Sequence, residues 1–389
     1  MTPEEYRAAF VDELRVAGAL ESPEWEVAFR RVPRHRFVPR IVGCWPPDEE
    51  GRSERFVLGP EVDRERWLRL VYSDRLLVTV DEDERWSSSS RPRVMIRFLE
   101  GLHVVEGNTV LEIGTGTGYN AALLCERLGS ERVTSIDIDA ELVALARERL
   151  LACGYAPALA VADGSEGYLP RAPYDRIVAT YSVARIPDAW LDQLAPGGII
   201  VAPLAGGRFE AVGLVRLVAR PDGSFHGAFH PAGASFIPLR RPGAAPVSEE
   251  ELAALVERGE GETRACRIPE WLSGGPERVR VTSHGQGLEP NFLLRLEIPE
   301  LRWFWLDGGL PAIACAIDRS WARVRIGSGG VPVVAQGGPR RLWDVVERSW
   351  ERYLRLGRPG MGRYGLTITP DRRQSVWLDH PGSEHRWEL

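Results

Sequence analysis

The sequence predicts an α/β protein: a doubly wound parallel sheet with an antiparallel edge, followed by a second, smaller α+β domain. Three observations carry this. From Asn108 to Pro203, short apolar runs alternate with amphipathic stretches of helical period. A glycine cluster, Gly114-Thr115-Gly116-Thr117-Gly118, separates the first such run from the first such helix. Beyond the Pro-, Ala- and Gly-rich stretch Pro238–Ser248 the composition changes, and eight of the 13 tryptophans fall there.

Tyr6, Phe10, Leu14 and Val16 recur at helical spacing, and Pro23 opens a second helix carrying Trp25 and Phe29. A basic stretch runs from Arg34 to Arg40, and residues 47–66 read as a charged surface loop. Leu68 to Val80 reads as strand, the polar run Asp81–Ser90 as a break, and Pro92 as the start of a helix. Strands are then expected at Thr109–Ile113, Val133–Ile138, Ala158–Val161, Arg176–Thr180 and Ile199–Pro203. Helices Ala121–Leu128, Glu141–Leu151 and Ala189–Leu194 lie between them. Val212–Val218 and Phe225–Phe229 form a hairpin around Pro221-Asp222-Gly223. In the last part, Val279–Thr282 and Phe292–Ile298 read as strands and Leu342–Leu356 as an amphipathic helix.

Composition narrows the chemistry. No apolar run reaches the roughly 18 residues of a membrane span, and the acidic start MTPEEYRAAF has no signal-peptide pattern. The five cysteines stand apart without a C-x-x-C pair, which suits reduced thiols in the cytoplasm and neither a disulfide framework nor a metal site. A formal charge of −6 gives no global field for nucleic acid. All 49 basic residues are arginine, which excludes lysine as Schiff base, general base or phosphate ligand.

The chemistry-bearing motif runs from Val110 to Asn120. A strand enters a turn of three alternate glycines and leaves as a helix, so that backbone can approach a ligand closely. The spacing G-x-G-x-G, with Glu112 two residues before Gly114, departs from the pyrophosphate fingerprint and suits a cationic or amine-bearing ligand. Asp137 ends the second strand 19 residues after Gly118, where a carboxylate can take both ribose hydroxyls. Asp139 follows, and Asp163-Gly164 ends the third strand. Acids at consecutive strand ends suit a nucleoside with an amino-acid tail, S-adenosylmethionine (AdoMet), with S-adenosylhomocysteine as product. The expected cofactor contacts are Glu112, Gly114, Thr115, Gly116, Gly118, Tyr119, Asn120, Asp137, Ile138, Asp163 and Gly164. A purely structural turn with capping acids is the alternative.

These residues, with Leu194-Ala195-Pro196-Gly197-Gly198, resemble a class I AdoMet-dependent methyltransferase with its Rossmann-like sheet. Ala28–Pro39 and Ser90-Arg91-Pro92 with Met95 resemble, more narrowly, the N-terminal signature and serine-x-proline substrate segment of protein-L-isoaspartate O-methyltransferases. The resemblance covers roughly residues 5–240 and divides the chain into four parts. Residues 1–100 form a helical, substrate-facing segment, 101–240 the AdoMet domain, 241–248 a linker, and 249–389 an accessory domain for peptide recognition.

Two departures point further. The segment Trp86-Ser87-Ser88-Ser89-Ser90 is unlike the repair enzymes' usual context, and their short forms lack the C-terminal region. Together they resemble the methyltransferases encoded with graspetides and lasso peptides, whose partner is a modified precursor peptide. These esterify an L-Asp side chain that then closes to an aspartimide. Isoaspartate repair is the alternative, and a non-catalytic peptide-binding module a second one. Ser90 is the expected hydroxyl for the substrate carboxylate, with Ser88 and Ser89 beside it; capping the helix at Pro92 is the competing role for Ser90. Tyr119 is placed over the cofactor or in the core, and the arginines Arg30, Arg31, Arg34, Arg36 and Arg40 on a solvated face or against an acidic peptide. No metal, membrane or nucleic acid is expected.

Overall fold

The computed structural model describes residues 1–47, 56–82, 85–204, 211–232, 234–236, 239, 247–272 and 289–389. Most of the expected linker 241–248 and the expected strand 279–282 lie outside the described residues. The chain forms two compact units, Met1–Thr180 with Ala189–Val201, and Tyr181–Asp188 with Ala202–Leu389.

The first unit opens with α1 (Pro3–Val16), held at its start by a reciprocal cap between Thr2 and Glu5. Phe10, Val11 and Leu14 face inward, whereas Val16 is exposed. Then come α2 (Pro23–Arg31), the single turn α3 (Arg34–Phe37), β1 (Gly43–Trp45) and α4 (Pro60–Val71). The expected loop over 47–66 is thus helical from Pro60, and Leu68–Val71 belongs to that helix rather than to a strand. Trp67, Leu68, Leu70 and Val71 are buried, an apolar set that a short window cannot distinguish from a strand.

The strand proper is β2 (Leu76–Glu82), and the serine run is not a break but a second strand, β3 (Arg85–Ser89), paired antiparallel with it. Leu77 lies opposite Ser89 and Val78 opposite Ser88. Four successive serines offer no apolar alternation to read; the ladder and long-range contacts hold them in place. Helix α5 (Pro92–Gly101) follows.

The parallel sheet is built as expected from β4 (Val110–Ile113), β5 (Val133–Asp137), β6 (Ala158–Val161), β7 (Tyr174–Ala179) and β8 (Leu194–Leu204). Within this unit β4 pairs with β5 on one side and β7 on the other, while β6 and β8 extend the two flanks, all in parallel. Strand β8 starts five residues before the expected Ile199, with an irregular register against β7. Helices α6 (Tyr119–Leu128) and α7 (Ala140–Ala152) connect β4 to β5 and β5 to β6. The strand order therefore reverses at β4, and the crevice at the carboxyl end of such a strand is where doubly wound sheets bind ligands.

In the second unit, β9 (Ala211–Ala219) and β10 (Phe225–Phe229) make the expected hairpin, its turn closed by Asp222, which accepts from Ser224 N and Oγ. A five-stranded antiparallel sheet occupies Glu262–Gly337. One face packs on the helix Glu249–Arg258 through Leu252, Val256 and Trp321. Leu294 and Ile298, with Trp343 and Val346 of the helix Leu342–Arg355, pack with Ile313, Val324 and Val334 of the sheet in a second cluster.

Two expectations change here. Phe292–Ile298 is not a strand; Glu289–Glu297 is a helix, with Phe292, Leu293, Leu294 and Leu296 all buried. Nor is 249–389 a self-contained domain. Its last strands, Tyr364–Ile368, Gln374–Leu378 and Arg386–Glu388, form an antiparallel series whose first member pairs with β10 from Phe225 to Ala228. Phe292 bridges the same parts, with ring centroids 5.1 Å from Phe229 and 5.4 Å from Tyr364.

Candidate active site

The turn after β4 is possible because Gly114, Gly116 and Gly118 all take positive φ, at 107°, 49° and 85°. Gly118 has a second reason to be glycine. A Cβ there would stand 3.1 Å from the Ala146 Cβ, so its absence lets α7 pack against the start of α6. Thr180 closes the far side, donating from Oγ1 to the carbonyls of Ile113 (3.2 Å) and Gly114 (3.1 Å).

Asp137 is 3% exposed at the end of β5. Its Oδ2 accepts the Gly116 amide at 3.0 Å and its Oδ1 that of Asp139 at 3.2 Å, so the strand-end acid braces the glycine turn. The other strand-end acids are shared with local structure. Asp139 caps α7 through the amides of Glu141 and Leu142. Asp163 Oδ1 accepts Ser165 N and Oγ, both at 2.8 Å, and the Gly164 carbonyl accepts Trp190 Nε1. Ile138 is half-buried beside Asp137. Capping and ligand contact are therefore compatible at Asp163, whose Oδ2 has no partner among the described residues.

Glu112 lies differently from the expectation of direct ligand contact, whereas Asn120 is half-buried and its Oδ1 has no partner among the described residues. Glu112 is fully buried, with Oε1 accepting Asn120 Nδ2 and Oε2 accepting Ser135 Oγ, both at 2.6 Å; Ser135 Oγ also meets Thr115 Oγ1 at 2.7 Å. An acid inside a buried strand needs such partners. Burial, outweighing the Ser135 and Asn120 hydrogen bonds, pushes the Glu112 carboxyl up to about 7, with the Asp137 charge adding to the effect. Tyr119 is core rather than lid: 7% exposed, it packs at 6.3 Å from Phe29 and 5.8 Å from Phe37.

The raised Glu112 value has a measurable consequence. Between its ordinary value of 4.5 and about 7 the folded chain holds a proton that the unfolded chain has released. Stability therefore falls as pH rises through that window, and the cost is complete above it. Glu112→Gln removes the titration, so its Tm relative to the unmodified chain should climb between about pH 5 and pH 8. A Tm difference flat across that range would mean that the folded chain holds no extra proton at Glu112 and that burial does not raise its carboxyl.

The serine segment is brought to this turn. A Cβ built on Gly116 would lie 3.8 Å from both Ser87 Oγ and the Ser88 carbonyl. The three candidate serines then separate. Ser89 is buried, and its Oγ accepts the Arg34 guanidinium, Nη2 at 3.2 Å. Ser88 and Ser90 are half-buried, and their hydroxyls have no partner among the described residues. Ser90 does not cap α5. That task falls to Asp74, whose Oδ1 accepts the Arg93 amide at 2.9 Å while Oδ2 holds Arg91 Nε at 2.7 Å.

The arginines of 30–40 are not one face. Arg30 pairs with Asp12 and Glu26, and Arg31 with Glu126. Arg34 is wholly buried. Asp74 was not readable as a site residue, nor Arg34 as a buried one; their partners are 17 to 56 residues away along the chain.

AdoMet suits these residues and a dinucleotide does not. A pyrophosphate over the turn would meet the carboxylate of Asp137, which holds the Gly116 amide, whereas a sulfonium or an amine meets opposite charge. Asp137 and Asp163 would hold the nucleoside, and the glycine turn its amino-acid part.

A family model described as protein-L-isoaspartate(D-aspartate) O-methyltransferase matches residues 59–240. The protein-L-isoaspartate O-methyltransferase of Ignicoccus hospitalis is 32% identical over 238 residues, which is 61% of this chain and 98% of that protein. That of Methanopyrus kandleri is 31% identical over 236 residues, 60% of this chain and 90% of its own. A solved structure named protein-L-isoaspartate O-methyltransferase aligns with TM-score 0.54 and 20% identity over 96% of this chain and 100% of that one, a likeness of fold. Identity at this level along nearly all of a relative decides what geometry alone leaves open: the chain belongs to the protein-L-isoaspartate O-methyltransferase family, a family of AdoMet-dependent protein carboxyl O-methyltransferases.

Proposed function

We propose that this protein transfers a methyl group from AdoMet to the free α-carboxylate of L-isoaspartyl residues in proteins or peptides, the group left ionisable because the main chain there runs through the side-chain carbonyl. The observation that carries the reading is the serine segment lying against the glycine turn, with the Ser90 hydroxyl uncommitted because Asp74 takes the helix cap. The similarity to relatives named for isoaspartate supports the same substrate.

AdoMet supplies an electrophilic methyl on a sulfonium. The acceptor needs no general base, since an α-carboxylate of ordinary acidity, roughly 3.3–3.7, is ionised at neutral pH. Its oxygen takes the methyl carbon, the C–S bond breaks, and the electron pair stays on sulfur; no proton moves. The protein's part is to align the carboxylate and keep water away. Ser90 Oγ–H donates to that carboxylate, and Ser88 is the second hydroxyl within the segment. The ester can then lose methanol to the following backbone nitrogen, closing a five-membered imide. With five free cysteines and no helix among the described residues long and apolar enough to cross a membrane, we place the activity in the cytoplasm.

A second reading, an L-Asp in a cyclised ribosomal peptide, rests on one remaining feature, the four-serine segment. The C-terminal region does not favour it, because a fold named for the isoaspartate enzyme runs along 96% of this chain.

Ser90→Ala tests the site. Methylation of an isoaspartyl peptide should slow by about ten- to a hundredfold, the worth of a hydrogen bond to a charged group. AdoMet affinity and Tm should stay unchanged, since Ser90 neither caps α5 nor touches the turn's braces. Full activity in the folded variant would remove Ser90 from the acceptor site.

A further inference from the structure

Arg34 is the most heavily engaged buried cation in the first unit, and nothing in the transfer chemistry uses it. Its guanidinium donates from Nη1 to the carbonyls of Val71 (2.9 Å) and Ser73 (3.0 Å). From Nη2 it reaches the carbonyls of Arg75 and Ser90, both at 3.1 Å, and Nε and Nη2 share Ser89 Oγ at 3.3 and 3.2 Å. These acceptors are the end of α4, the Asp74 loop and the last two residues of the serine segment. On its other side the guanidinium carbon stands 5.8 Å over the ring of Tyr119, the first residue of the helix after the glycine turn.

A buried guanidinium is costly unless its donors are used, and here five N–H groups meet five carbonyls, that of Ser89 included, and a hydroxyl, with no carboxylate among them. That planar fork defines where several pieces of backbone must sit relative to one another, which three ammonium protons cannot do. One of those pieces is the carbonyl of the residue whose hydroxyl faces the acceptor.

We infer that Arg34 is a positioning residue for methyl transfer: it fixes the Ser88–Ser90 acceptor segment relative to the helix that follows the cofactor turn, without touching either reactant. This rests on the isoaspartyl reading for its kinetic consequence and on the fold alone for its structural one.

Arg34→Lys and Arg34→Met in the full chain test it. The Michaelis constant for an isoaspartyl peptide should rise by about tenfold or more in both, because misplacing the segment weakens acceptor contacts. The AdoMet Kd by calorimetry should stay within about twofold, since Asp137 and the glycine amides are untouched. Backbone hydrogen exchange over residues 85–91 should quicken while residues 119–128 stay as protected as in the unmodified chain. An unchanged peptide KM in a folded variant overturns the inference, as does a parallel loss of AdoMet and peptide affinity, which would mark a merely structural residue. If the unmodified chain does not methylate isoaspartyl peptides, the substrate reading fails and the exchange measurement decides: unchanged exchange over 85–91 in the lysine variant overturns the placement of the segment by Arg34, and a selective rise upholds it.

Discussion

Asp137→Ala is expected to weaken AdoMet binding by about ten- to a hundredfold, which corresponds to the roughly 1.5–3 kcal/mol carried by hydrogen bonds to a charged group. Two losses contribute. The ribose hydroxyls lose a charged acceptor at the end of β5, and the turn loses the carboxylate that holds the Gly116 amide at 3.0 Å. Asp137→Asn separates them, because its amide oxygen can still accept from Gly116 while the charge is gone. Its affinity should fall between that of Asp137→Ala and the unmodified chain. Calorimetry showing unchanged AdoMet affinity in folded Asp137→Ala would remove Asp137 from the cofactor site.

Truncation after Ser248 is expected to damage the fold rather than merely strip away a recognition domain. Strand β10 would lose its partner over Phe225–Ala228, leaving an unpaired edge. Phe229 would lose Phe292 and, beyond it, Tyr364. Emptying one large aromatic site costs about 3–5 kcal/mol, enough by itself to lower Tm by roughly 4–6 °C in a chain of 389 residues. The truncated protein should therefore aggregate or melt well below the full chain. A soluble truncated protein with unchanged Tm would show that 249–389 is an independent appendage after all.

The parallel half of the fold was legible because its signals are local. Val110–Ile113 is apolar but for one acid, the glycines that follow need positive φ, and Asp139 and Gly154 bound α7, so each element carries its own punctuation. Glu112 carried a clue as well: an acid inside a buried strand requires partners, though only the fold shows them to be Asn120 and Ser135 rather than a ligand. What failed was what depends on distant contacts. Ser87–Ser89 form a strand because Leu77–Val80 pair with them and Arg34 holds Ser89 from 55 residues away. Phe292–Ile298 has too short an apolar run to tell helix from strand, and the choice is made by Phe229 and Tyr364 packing on Phe292. The junction of the C-terminal strands with β10 leaves no mark in composition.

The isoaspartyl substrate is our proposal, supported by the similarity to relatives named for it, and a pair of peptides tests it most directly. The two are identical except that one carries L-isoaspartate where the other carries L-aspartate. With AdoMet, the isoaspartyl peptide should gain one base-labile methyl ester by mass spectrometry, at a kcat/KM exceeding that of the aspartyl peptide by at least about a hundredfold. Methylation of neither linear peptide, together with efficient esterification of an L-Asp in a cyclised ribosomal peptide, would contradict the isoaspartyl reading.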